Sequence, residues 1–407
     1  MANVIALRHA LVEHLKGEGS IRTASVENAF CAVPRHIFVP QASLEDAYAD
    51  RVVRIKESEG TLLSSCSQPA IIAEMLEQLA VAQGDRVLEI GTGSGYTAAL
   101  LASLTGDAGH VTSIDIEPDL VTQAREHLRT AGFAAVKILA RDGTIGDPDA
   151  APFDRILLTV SSSDITNAWW QQLAPNGRLV MPLSLKGIQK SIAFAHEGAL
   201  LKSETMIDCG FIMLRGSDEG LETIHALSRD PPVFLGADSA LPLDTAALAK
   251  HLLHERPVET AVPMDVYPRE LFGSLAIWLG FKEPGCCKVE THGRGAMLPT
   301  ITPRSLDYRF SIGLCANDTV ALVHFDKKLR IFRFGPDLKL ATRLRDRLLE
   351  WNKLGRPGST DLQIVAMRND ERDMRMLAHA NETIERRHTT FCLIWASEAP
   401  TDSFAVG

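Results

Sequence analysis

The stretch Arg86-Val-Leu-Glu-Ile-Gly-Thr-Gly-Ser-Gly-Tyr-Thr-Ala-Ala-Leu-Leu101 decides the fold. Val87, Leu88 and Ile90 form the continuous apolar run of a parallel strand covered on both faces. Gly91, Gly93 and Gly95 follow as a turn in which no side chain keeps a ligand off the backbone, and Thr97 to Leu101 resume a helix-forming run. A cofactor is therefore expected at this turn.

Working outward, the pattern predicts an alternating array, with strands at 86–90, 110–115, 135–139, 154–160 and 177–182 and helices at 96–104, 118–130 and 164–173. Pro118 stands where a helix starts and Gly132 where it ends. Such alternation predicts an α/β fold, a doubly wound, mostly parallel sheet with right-handed crossovers and ligands at the carboxyl ends of its strands. Glu89 to Gly95, Asp115, Asp142 and Thr159 to Ser162 all fall at those ends. They are expected to converge on one crevice.

A glycine-rich strand-to-helix turn alone also serves dinucleotide enzymes. Here the turn reads E-x-G-x-G-x-G with Glu89 inside the strand, and Asp115 ends the next strand, His110-Val-Thr-Ser-Ile-Asp115. This spacing resembles the S-adenosylmethionine (SAM)-dependent methyltransferases. The resemblance implies a cofactor site made of Glu89, Gly91, Thr92, Gly93, Ser94 and Gly95 at the methionine moiety and Asp115 at the ribose hydroxyls. A carboxylate suits the ribose as a bidentate acceptor. Ile116 and Thr159 complete that site, and Asp142 and Gly143 are expected at the adenine amino edge, although Asp142-Gly143 also reads as a simple turn. The implied product is S-adenosylhomocysteine, with no metal.

Further motifs narrow the family. Val33-Pro34-Arg35, Phe38-Val39-Pro40, Ala47-Tyr48-Ala-Asp50, Ser65-Cys-Ser67-Gln68-Pro69, Arg141-Asp142-Gly143, Pro152-Phe153-Asp154 and Leu173-Ala-Pro-Asn-Gly177 occur in the order seen in protein-L-isoaspartate O-methyltransferases. The first half of the chain is similar to that family, which implies esterification of a side-chain carboxylate. Ser65, Ser67 and Gln68 are then the catalytic-site candidates, as positioning groups, with Ser64, Val160, Ser161 and Ser162 lining the substrate. The serines before Pro69 also read as caps of the helix from Ala70 to Leu79. One segment departs from the family, Ile55-Lys-Glu-Ser-Glu-Gly60-Thr-Leu-Leu-Ser64. That segment and the long C-terminal extension resemble variants found with ribosomally made lanthipeptides, lasso peptides and graspetides. Those variants methylate an aspartate of a precursor peptide, whose ester collapses to a succinimide or isoaspartate. General isoaspartyl repair and a non-catalytic scaffold for peptide maturation are the alternatives.

At 407 residues two domains are expected: a methyltransferase domain 1–216, helical over residues 1–80, and an α+β domain 217–407 serving substrate capture or dimerisation. Leu7, Leu11, Val12 and Leu15 share a helix stripe, whereas the prolines at 34 and 40 predict an extended piece between them. Ser191–Ala195 and Cys209–Arg215 read as the last strands of the catalytic domain, and Gly216-Ser-Asp-Glu-Gly220 as a boundary. Beyond it, helices are predicted near 243–254, 268–280 and 336–352, a hairpin at 320–334, and strands at 361–367 and 389–396.

The net charge of −9 argues against nonspecific nucleic-acid or anionic-membrane partners. No apolar run approaches ~20 residues, and a cytoplasmic protein is expected. The seven cysteines are scattered and read as reduced thiols rather than a disulfide framework or a metal site. His251 and His254 share a helix face with no third ligand beside them. Asp230-Pro231-Pro232-Val233 resembles an amine-methyltransferase signature but lies outside the sheet array, and Trp169-Trp170 reads as packing against the sheet.

Overall fold

The computed structural model describes residues 2–58, 61–185, 188–216, 222–238, 241–267, 270–292, 298–300 and 308–396. Residues 59–60 of the departing segment, 217–220 of the expected boundary, and 268–269 of an expected helix lie outside the described residues. The strands in chain order begin with β1 (Val53–Ser58), β2 (Thr61–Cys66), β3 (Arg86–Ile90), β4 (His110–Asp115), β5 (Lys137–Ala140), β6 (Phe153–Leu158), β7 (Leu173–Leu185), β8 (Ile188–Glu197) and β9 (Leu200–Asp208). The second half adds β10 (Glu222–Arg229), β11 (Pro232–Asp238), β12 (Val258–Ala261), β13 (Cys286–His292), β14 (Tyr308–Ala316), β15 (Thr319–Phe325), β16 (Leu329–Phe334), β17 (Leu362–Arg368), β18 (Glu382–Glu385) and β19 (Thr389–Trp395).

The expected parallel array is present: β3 pairs in parallel with β4 and β6, β4 with β5, and β6 with β7. Its order, β7-β6-β3-β4-β5, puts the glycine turn after the central strand. Val87, Leu88, Glu89 and Ile90 are all buried, because helices cover both faces. The helices Tyr96–Thr105 and Pro118–Thr130 fall where predicted, and Pro118 opens the second one. Trp169 and Trp170 are buried, as the packing reading required.

Several boundaries are corrected. The helix expected at 164–173 is confined to Asn167–Gln172, and Leu173 already starts β7. Residues 35–38 form one helical turn, Arg35–Phe38, rather than an extended piece, because Pro34 precedes the turn, where its fixed φ is tolerated. Cys209–Arg215 is not a strand. The strand is Leu200–Asp208, and the residues after it cross the carboxyl end of the sheet as a strap. The departing segment forms an antiparallel hairpin, β1 with β2.

The larger difference concerns the second half. The ten-stranded sheet runs β18-β19-β17-β9-β8-β7-β6-β3-β4-β5, so its last three strands in the chain extend the catalytic sheet. The pairing that joins them is antiparallel, Val365 with Lys202, Ala366 with Leu201 and Met367 with Leu200. The strands β10 to β16 build a separate seven-stranded sheet in the order β10-β11-β13-β14-β15-β16-β12. One apolar cluster nevertheless runs from Leu88 and Ile156 through Leu183 and Phe194 to Trp278, Ile312, Leu344 and Trp395. Sheet and core therefore cross residue 216, so the expected units 1–216 and 217–407 are not separately cored on this face. A chain stopped at Gly216 would bare both the edge of β9 and that cluster.

This continuity is testable at Trp395, whose side chain is buried with its ring 6.3 Å from that of Phe281. Trp395→Ala should cost about 3–5 kcal/mol. In calorimetry the whole protein should still unfold in one transition, shifted down. Two separate transitions, with the catalytic half unmoved, would refute the shared core.

Candidate active site

Local chemistry builds the cofactor side of the crevice. Gly91 has φ +104°, and a Cβ there would lie 2.7 Å from Thr159 Oγ1, so the chain passes only because glycine occupies the position. Gly93 has φ +50° and approaches Ser64 and Ser65. The turn is held from below: the Gly91 and Thr92 amides donate to Ile114 O at 2.8 and 3.1 Å. Asp115 Oδ2 accepts from the Gly93 amide at 2.8 Å and Oδ1 from the Glu117 amide at 3.0 Å. Burial raises the Asp115 carboxyl above its ordinary value, opposed by those two backbone donors and by Arg215.

Beneath the turn Glu89 is fully buried in the sheet. Ser113 Oγ donates to its Oε2 at 2.5 Å and is itself 2.6 Å from Thr92 Oγ1, while Glu89 Oε1 has no hydrogen-bond partner among the described residues. Burial pushes this carboxyl up to about 8, against the Ser113 bond and aided by Asp115. Glu89 therefore supports the turn from within the sheet rather than lining the cavity.

The opposite wall hangs on two anchors, the buried Arg35 and the half-buried Asp50. Arg35, wholly buried, donates through Nη1 to Ala47 O at 2.8 Å and through Nη2 to Arg51 O at 3.2 Å and Ser67 O at 3.0 Å, with its guanidinium 5.6 Å from the Tyr96 ring centre. Asp50 accepts from Gln68 Nε2 at 2.7 Å and from the Ala70 amide at 2.8 Å. Asp50, and not Ser64, Ser65 or Ser67, thus satisfies the start of the helix Pro69–Leu79, which has no cap from Gln68 itself.

The two walls enclose a cavity of about 310 Å³. Of the residues expected from the sequence, Ser64, Ser65, Ser67, Gln68, Gly91, Thr92, Gly93, Ser94, Asp115, Ile116, Gly143, Thr159 and Val160 line it. Glu89, Gly95, Asp142, Ser161 and Ser162 do not. Gly95 starts the helix at Tyr96, and Asp142 caps the following turn, accepting from the Thr144 amide and hydroxyl at 2.9 and 2.7 Å. Ser161 and Ser162 are buried, their hydroxyls donating to Pro182 O and Asp164 O. Their hydroxyls face the protein because both residues bridge neighbouring chain: the Ser161 amide donates to Ile212 O and the Ser162 amide to Pro182 O.

Missed in the sequence was the strap 209–215, which forms a third wall. It is bound to Ser161 and clamped by Gln189, which accepts from the Phe211 amide and donates to its carbonyl. The run Cys209-Gly-Phe-Ile-Met-Leu-Arg215 lacks the apolar–polar alternation of an edge strand, which was the available signal. Burial pushes the Cys209 thiol in this wall up to about 12. No group of three metal-ligating side chains exists among the described residues.

A glycine turn that a Cβ would block, a carboxylate at the end of the next parallel strand, and a cavity between them fit a nucleoside bearing a ribose diol and a methionine chain. The fold and this site define a SAM-dependent methyltransferase of the doubly wound class. The family model Protein-L-isoaspartate(D-aspartate) O-methyltransferase (PCMT) matches residues 6–219. The chain belongs to that family. The protein-L-isoaspartate O-methyltransferase of Ignicoccus hospitalis is 38% identical over 176 residues, 43% of this chain and 81% of the relative. That of Methanoculleus marisnigri is 41% identical over 209 residues, 51% of this chain and 91% of the relative. A solved protein-L-isoaspartate O-methyltransferase structure superposes with a TM-score of 0.51 at 22% identity, over 88% of this chain and 96% of its own. That span exceeds residues 6–219, so the likeness of fold takes in much of the second half. The protein is a SAM-dependent carboxyl methyltransferase.

Two outcomes test the cofactor wall. Asp115→Ala removes a charge-assisted acceptor from the ribose side and should weaken SAM binding at least about tenfold in titration calorimetry, and unchanged affinity would dislodge the ribose from this position. Glu89 gives a pH signature. Its folded value of about 8 lies above the ordinary 4.5, so its stabilising contribution is complete below the ordinary value and is lost as pH rises through about 8. Across that window the wild type should lose on the order of a few kcal/mol that Glu89→Gln, neutral throughout, retains. Parallel melting-temperature profiles for the two proteins would contradict the neutral buried acid.

Proposed function

We propose that the crevice esterifies the carboxylate of an isoaspartyl residue presented in an extended peptide. The observation that carries this reading is the chemistry of the wall: Ser64, Ser65, Ser67 and Gln68 face the glycine turn, and no histidine or lysine is among the described lining residues. An amine or hydroxyl acceptor needs a group to take its proton. A carboxylate arrives ionised and needs none, so placement and exclusion of water suffice. When bound, SAM supplies an electrophilic methyl on its sulfonium. The glycine turn and Asp115 hold that ligand, while Ser65, Ser67 and Gln68 orient the acceptor oxygens, with Arg35 and Asp50 fixing the segment that carries them. The peptide ester then loses methanol as the next backbone amide attacks its carbonyl, forming a succinimide.

A second reading has its own support. The hairpin β1–β2 carries the stretch that departs from the family pattern and contributes Leu62, Leu63, Ser64 and Ser65 to the cavity. A lid of altered sequence suits a narrow acceptor, such as one aspartate of a modified, ribosomally made peptide. The family match and the relatives' names, protein-L-isoaspartate O-methyltransferase, support the first reading, in which isoaspartyl residues of proteins are the substrates.

The two are separated by an acceptor series of one sequence carrying isoaspartate, aspartate, or aspartate within a thioether ring. Isoaspartyl repair predicts a base-labile product heavier by one methyl group on the isoaspartyl peptide and at least about a hundredfold lower kcat/KM on the linear aspartyl isomer. A preference for the ring-bearing aspartate would establish the second reading, and a base-stable methyl group would exclude carboxylate esterification.

A further inference from the structure

Three walls of the crevice meet at its rim in one charge network. Lys56, on β1 of the hairpin, donates to Glu117 at 2.6 Å and to Asp119 at 2.8 Å, both just after β4. Arg215, at the end of the strap, donates to the other Glu117 oxygen at 2.6 Å. Arg215 is the sole cation among the described residues lining the cavity. Glu117 is thus held from two sides while its own amide donates to Asp115, the carboxylate assigned to the ribose. The side chains of Lys56, Glu117 and Arg215 are 28%, 18% and 34% exposed, partly withdrawn from the water that weakens surface pairs.

Among the described residues, the ion pairs that reach from the hairpin to another element are those of Lys56. The hairpin's two strands pair only with each other among the described strands, and a lone two-stranded ribbon is marginal in water. Its base is fixed where Val53, Ile55 and Cys66 pack on the helical core and Arg35 reaches Cys66 O. Beyond that base, the Lys56 pairs tie it to the β4 side of the crevice. The same hairpin supplies Leu62 to Cys66 to the cavity wall.

We propose that Lys56 and Arg215 are positioning residues that, by clasping Glu117 between the hairpin and the strap, close the crevice over its bound nucleoside and fix Asp115 against it. This inference rests on assigning the cavity to SAM and its product, and goes beyond it in naming what governs their residence. Opening the hairpin requires breaking the Lys56 pairs, so release of the product nucleoside is governed by ion pairs at the rim. Salt loosens such a clasp and leaves the glycine turn intact.

The test follows S-adenosylhomocysteine dissociation from the full-length protein by stopped-flow fluorescence at low salt and at about 0.5 M salt. In the wild type, dissociation should quicken with salt. Lys56→Met should release at low salt about fivefold faster or more and lose most of that salt dependence, with Arg215→Met behaving alike and Lys56→Arg restoring slow release. Methyl-transfer assays should show a raised KM for SAM in the methionine variants. Wild-type release rates and salt dependence in both methionine variants would overturn the clasp while leaving the cavity assignment standing. Failure of the wild type to bind S-adenosylhomocysteine would overturn both.

Discussion

Three backbone pairings between β17 and β9 hold the end of the chain to the catalytic sheet. Without them β9 would be an open edge, and the strap that follows it would leave from an unpaired strand. The strap is one wall of the crevice, so a contact made by residues 365–367 supports a surface formed by residues 209–215. The sequence distance is large, yet the mechanical distance is a single strand. Trp170 reinforces the same junction by donating to Thr389 Oγ1 at 3.1 Å, and Thr389 donates in turn to Ile165 O at 2.9 Å.

The regions of the fold legible in the sequence were those set by local rules. The run Val87 to Ile90 had to be a doubly covered strand, the glycines after it had to turn, and Asp115 had to end the neighbouring strand. The illegible regions depend on pairings between distant residues. Nothing in Leu362 to Arg368 announces β9 as its partner, because its continuous apolar run Ile364 to Met367 specifies burial on both faces and not a neighbour. Strands β10 to β14 carry mixed polarity and were passed over for the same reason. One apolar cluster runs from the catalytic sheet into the second half of the chain, while the second sheet and the helix Thr245–His254 close a further cluster around Val233, Leu248, Val289 and Leu322, a division that chain length alone does not reveal.

The site divides along the same line. Backbone-determined positions, the glycine turn and Ser64 to Gln68, line the cavity as the motifs implied. Other expected residues near strand ends, Ser161, Ser162 and Asp142, turn their polar atoms to nearby chain instead. Arg35 and Asp50 sat inside motifs without an assigned task. Their task shows only in three dimensions, where a buried cation surrounded by carbonyls holds segments from residues 47 to 67 together. Such a cation is expensive to bury, and its several carbonyl acceptors offset that desolvation without a carboxylate.

The thiol of Cys209 gives the crevice a property of a different kind. A pocket that holds an alkylating agent endangers any nucleophile in its own wall, and thiolate sulfur is among the strongest that a protein carries. Burial keeps this thiol protonated, pushed up to about 12, so almost none of it is thiolate at neutral pH. At this position the wall can therefore include sulfur in its less nucleophilic, protonated form. Self-alkylation is suppressed by desolvation, while the acceptor carboxylate enters already charged.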